Sequence, residues 1–187
     1  MSSSDVATPD LVPGRSCGGC TMCCKLMEVE ELEKPRATWC AKCDRSRGCT
    51  IYEGRPQACR TFHCGYLRLA YLDERWKPAK AKFLVNYEER ARRIAIHVDP
   101  DRPDAWRKEP FLGQLRHWSA AAAREGGYVI VWCGPRASIV LPDRVKELGQ
   151  VRDDQLILET RDGGRRDFIA IEPDDPRGDP QAARSPD

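Results

Sequence analysis

Long apolar runs are missing from this 187-residue chain; the longest, near YVIVWC, falls far short of the roughly 20 residues that a membrane-spanning helix needs. An excess of charge of one sign is missing too. Lys and Arg number 31 against 29 Asp and Glu, a net charge of +2 with the signs interleaved, so there is no cationic stripe to recruit nucleic acid or an anionic membrane surface. The first residues, MSSSDVATPDLVPGRS, lack the basic start and apolar stretch of a secretory signal, which leads us to expect a cytoplasmic protein. No glycine-rich nucleotide loop, Ser/His/Asp set or carboxylate pair stands out, and whether the chain is an enzyme stays open. Histidine is scarce, with only His63, His97 and His117.

What the chain has in abundance is cysteine, and almost all of it in one place. Nine of its ten cysteines lie between residues 17 and 64: Cys17, Cys20, Cys23, Cys24, Cys40, Cys43, Cys49, Cys59 and Cys64. Cysteines two residues apart can turn both sulfurs toward one point, because the pair between them forms a tight knuckle whose N–H groups also aim at the sulfurs. In a reducing compartment such thiols stay free for metal, whereas in a secreted chain they would be suspected of pairing as disulfides. Metal ligation by all nine is the leading expectation, with an iron–sulfur cluster or zinc as the cofactor. His63 is a further candidate ligand, although nine thiols leave little need for it. Cys133 stands alone and reads as a small core or turn residue.

Two stretches carry a resemblance. CGGCTMCC fits the signature CxxCxxCC, and CTIYEGRPQACRTF fits C-x-I-Y-E-x-R-P-x-x-C-R-x-F; in that order they resemble the YkgJ-like cysteine-cluster family, described as zinc- or iron-chelating domains. The likeness covers roughly residues 15–70. It implies a metal-binding module, and through relatives such as flagellin lysine methylases it tilts the expectation toward iron–sulfur. The bacterial ferredoxin beginning C-x2-C-x2-C is approached but not met, since the next cysteine is adjacent and no Cys-Pro follows. Eight cysteines could fill two tetrahedral zinc sites, or four could hold a cubane while others hold zinc or stay free.

Four thiolates about such a centre leave it net negative, so neighbouring cations should lower its cost. Arg55 and Arg60, within the second signature, are read as structural cations beside the cluster, and Arg15 as an ordinary solvated arginine. Trp39 reads as a wall of a small core.

Taken in order, residues 1–14 read as a disordered N-terminus and 15–79 as the cysteine-cluster module, with PQACRTFHC as a short helix. Residues 80–171 form an α+β region. Lys82–Tyr87 and Arg92–Val98 read as strands around a charged turn. A helix over 109–125 stops at Gly126 and Gly127, and YVIVW, SIVLP, QLILE and DFIAI follow as strands. Residues 172–187 read as a flexible tail. The expected fold is α+β: a small cysteine-rich metal-binding module packed on a mainly antiparallel sheet with one principal helix. Its expected function is electron transfer, sensing or assembly, with an unidentified protein partner. The alternatives are a structural zinc module for partner binding and a cluster-dependent, methylase-like protein-modifying enzyme.

Overall fold

The computed structural model describes residues 11–178. Its head is short of regular structure. Helix α1 (Met22–Leu26) is followed by a 3-10 turn at Glu30–Leu32, a two-residue hairpin of β1 (Cys43–Asp44) and β2 (Gly48–Cys49), and α2 (Gln57–Thr61). Two further short helices, α3 (Gly65–Arg68) and α4 (Pro78–Ala81), lead into the sheet.

Strands β3 (Phe83–Glu88) and β4 (Arg93–Val98) pair antiparallel. The chain then crosses over through α5 (Phe111–Arg124) to β5 (Tyr128–Cys133), which lies parallel to β4. A helix in the connection is what a parallel neighbour requires, since a tight turn cannot reverse the chain twice. Strands β6 (Arg136–Val140) and β7 (Val145–Gln150) complete a five-stranded sheet in the order β3-β4-β5-β6-β7, antiparallel apart from the β4–β5 pair. A separate hairpin, β8 (Leu156–Asp162) and β9 (Arg165–Ile171), turns at Gly163 and Gly164, whose φ of +54° and +80° is the left-handed geometry that a two-residue hairpin loop demands. The fold is α+β, with a mainly antiparallel sheet and one long helix, in agreement with the sequence.

Side-chain alternation gives the sheet two apolar faces. Phe83, Val85, Ile96, Val98, Val129, Val131 and Val140 pack with Leu115 and Trp118 of α5. Trp76 lies at the centre of this layer, with ring centroids 5.7 Å from Phe83, 4.9 Å from Phe111 and 5.3 Å from Trp118. On the opposite face Ala95, Ile130, Trp132, Ala137 and Ile139 pack with Phe168 of the β8–β9 hairpin. Lys146 Nζ to Asp167 Oδ2 at 2.8 Å and an Arg144 guanidinium bond to Arg166 O at 2.7 Å tie that hairpin to β7 and its approach.

The cysteine head is not a separate bead. Met22, Leu26, Cys64, Tyr66 and Leu67 are buried in the same core as Phe83, Leu84 and Val85. Gly65 sits so close to β3 that a Cβ there would lie 2.9 Å from Val85 Cβ. Of the expected disordered N-terminus, Leu11–Gly14 fall among the described residues, and Val12 N–H donates to Leu67 O at 2.8 Å. Residues 1–10 lie outside the described residues, as do 179–187 of the expected tail. The part of the tail that is described makes a 3-10 turn at Pro176–Gly178. Among the described residues no helix is long and apolar enough to cross a membrane.

Candidate metal centre

The cysteines are set by a series of tight turns. Cys20 N–H donates to Cys17 O at 3.0 Å, closing the first knuckle, and Cys43 N–H donates to Cys40 O at the same distance, closing the second. Lys42 N–H points at Cys40 Sγ at 3.4 Å, the backbone-to-sulfur contact expected of a knuckle. Cys40 N–H donates to Cys24 O at 2.9 Å and so fastens the second knuckle to α1. The β1–β2 hairpin faces Cys43 with Cys49, and its turn is held by Asp44 Oδ1, which accepts from Ser46 N at 2.8 Å and Arg47 N at 2.9 Å. Cys59 lies in the middle of α2, and Cys64 immediately precedes α3.

These turns bring the thiols onto two adjoining cavities. The smaller, of about 30 Å³, is lined by Cys17, Cys20, Cys23 and Cys64, with Tyr66, Leu67 and Leu84 of the main core behind them. The larger, of about 210 Å³, is lined by Cys24, Cys40, Cys49 and Cys59, and again by Cys23. Cys43 lies beside Cys24 without lining either space, and its thiol donates weakly to Asp44 O at 3.7 Å. Every one of these cysteines is free. Consecutive residues of a helix point about 100° apart, which is how Cys23 faces the smaller cavity while Cys24 does not. The thiols share cavities without forming a closed shell: among the described residues no three His, Cys, Asp or Glu side chains stand about a common point as ligands.

Burial and mutual proximity dominate the thiol electrostatics. Hydrogen bonding between the neighbouring Cys23 and Cys24 thiols pushes Cys23 far up and pulls Cys24 down, with burial adding to the first and opposing the second. Burial also raises Cys17, Cys43, Cys59 and Cys64, and in each case a neighbouring thiol adds to the rise.

Cations meet this thiol field from several directions. Lys34 is buried, and its ammonium donates to Lys25 O at 3.3 Å, to Pro35 O at 3.0 Å and to Met27 O. Burial lowers Lys34, while Cys40, Cys24, Cys23 and Cys59 hold its proton on. Arg55 lines the larger cavity and stacks 4.1 Å from the Tyr52 ring centroid, and Lys77 lines the smaller one. Arg60 staples the loop that carries Arg55, through Nε to Arg55 O at 2.9 Å and a terminal nitrogen to Glu53 O at 2.7 Å. Arg15, expected to be an ordinary solvated side chain, instead caps α3: it donates to Tyr66 O at 2.6 Å, Leu69 O at 2.9 Å and Ala70 O at 3.0 Å. Trp39 lies under Arg45, 4.9 Å from its ring centroid.

His63 faces away from both cavities, its Nδ1 3.0 Å from Thr61 O, and lines a groove with Arg68 and Trp118. Cys133 ends β5 and lines a different groove, beside Arg36 and Pro135. Sequence reasoning missed Lys25 and Lys34, which lie in KLMEVEELEKP, a short, charged, partly apolar stretch that reads as a helical turn or an irregular loop; spacing alone does not separate a buried lysine from a solvated one. The family models, the curated proteins and the solved structures compared with this chain hold no match to it.

The donor set suits a thiophilic metal. Free cysteines line each cavity, no carboxylate competes at the smaller one, and a cation stands beside each, Lys77 at the smaller and Lys34 and Arg55 at the larger.

Proposed function

We propose that residues 15–79 are a metal-binding module that carries an iron–sulfur cluster, or else zinc, through the Cys17–Cys64 thiolates, in an electron-transfer, sensing or assembly role. The observation that carries this reading is the convergence of eight free thiols, from six separate segments of the head, on two adjoining cavities flanked by Lys34, Arg55 and Lys77. Core packing alone has no use for so many sulfurs on so few walls, and no cystine takes them up. When bound, an iron–sulfur cluster supplies a one-electron couple and zinc a fixed crosslink. The chain's own residues would hold the centre, offset its charge through Lys34 and Arg55, and keep water from its inner side with Tyr66, Leu67 and Leu84. The resemblance to the CxxCxxCC family points the same way.

Purification without oxygen, followed by iron, sulfide and zinc assays and by EPR before and after dithionite, tests the reading. Stoichiometric metal is expected, with an EPR signal on reduction if the centre is iron–sulfur. Colourless protein with neither iron nor zinc would reject it.

A further inference from the structure

We infer that eight of the nine thiols serve two separate centres of different size: Cys17, Cys20, Cys23 and Cys64 hold one tetrahedral zinc ion, and Cys24, Cys40, Cys49 and Cys59 hold the iron–sulfur cluster. The inference rests on the metal-binding reading above and divides it.

Counting assigns the ligands. The smaller cavity is lined by four cysteines only if Cys23 is included, whereas the larger has four without it. Four is the number that either an all-thiolate zinc site or a cubane requires. Cys43 is left over, and it lines neither space.

Size assigns the occupants. At about 30 Å³ the smaller cavity is the tighter of the two and suits a single ion better than a polynuclear cluster. The larger space is about 210 Å³. Position agrees with size. The smaller cavity is backed by Tyr66, Leu67 and Leu84, residues of the core that holds α1 and α3 against β3, which is where a crosslinking ion would stabilise the fold. The larger one lies among the less regular turns of the head, with Leu32, Ile51, Lys34 and Arg55 around it. The two groups meet at the Cys23–Cys24 peptide, so the centres are neighbours along one helix while sharing no ligand.

The test uses the full chain, purified anaerobically, with zinc, iron and sulfide measured on the same sample for wild type and for single variants. In Cys17→Ser and Cys64→Ser, zinc should fall from about one per chain to background with iron and sulfide unchanged. In Cys40→Ser and Cys49→Ser, iron and sulfide should fall together with zinc retained, and Cys43→Ser should keep both. Far-UV circular dichroism monitors folding. If buried Cys64→Ser unfolds, Cys20→Ser reports for the same group from a half-exposed position. Loss of both metals from any one folded variant, or wild type that holds only one kind of metal, overturns the division while leaving metal binding intact. Wild type without metal overturns the underlying reading itself.

Discussion

Lys25 Nζ lies 2.5 Å from Asp99 Oδ1, a buried ion pair that joins the residue following Cys24 on α1 to the turn following β4. Asp101 Oδ2, at 2.7 Å, takes a second bond from the same ammonium. Burial pulls Lys25 down, yet the bonds to Asp101 and Asp99 outweigh it and leave the lysine above its ordinary value. The cysteine head is thereby latched to the sheet by charge as well as by the shared core.

Removing one partner of this pair leaves an uncompensated buried charge. Lys25→Met is expected to cost about 3–5 kcal/mol in urea unfolding, and Lys25→Met/Asp99→Leu less than the sum of the two single changes. Additive losses would show that the two residues are not coupled.

Close backbone approach makes two glycines sensitive in distinguishable ways. At Gly65 the obstacle to a Cβ is a side chain, Val85 Cβ at 2.9 Å and Cγ1 at 3.1 Å. Gly65→Ala should destabilise by about 1–3 kcal/mol, and Val85→Ala in the same chain should recover part of that loss. At Gly127 the obstacle is the carbonyl oxygen of Arg92, main chain that no substitution removes. Gly127→Ala should cost more than Gly65→Ala, with no neighbouring side-chain change to relieve it, as read from thermal midpoints of the three variants.

Legibility in the sequence followed the strength of local signals. The alternation in KFLVNYE and RIAIHV put β3 and β4 within one residue of their observed limits, and the apolar spacing from Phe111 to Ala122 with Gly126 and Gly127 beyond it announced α5. Strand β7 went unread, because VKELGQ alternates poorly and contains a glycine; its pairing comes from β6 on one side and from the Lys146–Asp167 contact on the other. The parallel β4–β5 pairing is a relation between distant segments and leaves no mark on either. Cysteine spacing announced the knuckles, but the sorting of Cys23 from Cys24 depended on α1 being helical there, and Cys64 joins Cys17 across a sequence gap that no motif spans.

His97 should make stability depend on pH. Burial, reinforced by the nearby Arg36 and Arg93 cations, holds its pKa down to about 4. Glu88 Oε1 is 3.9 Å from Nε2, which has no hydrogen-bond partner among the described residues. A folded pKa below the unfolded value means that the unfolded chain takes up the proton first. The contribution is complete above pH about 6.5 and is lost as pH falls through about 4, up to roughly 3 kcal/mol. Urea unfolding of wild type and His97→Gln from pH 7 to 4 should give curves whose separation changes across that window. Parallel curves would remove His97 from the account.

Lys34 separates charge from packing at the larger cavity. Its stem is buried, its ammonium is held by the carbonyls of Lys25, Met27 and Pro35, and its charge bears on Cys40, Cys24, Cys23 and Cys59. A neutral side chain of similar length removes the cation that offsets clustered thiolates, as well as the bonds that hold the end of α1. On the metal-binding reading proposed above, Lys34→Met is expected to weaken metal retention roughly 10- to 100-fold against a competing chromophoric chelator, the usual scale for losing a partner just outside the ligands. Lys34→Arg keeps the charge and can still donate to the carbonyls, so it should hold metal closer to wild type even if its bulk costs stability. If Met and Arg variants released metal alike, packing at the end of α1, and not the positive charge, would be what Lys34 supplies.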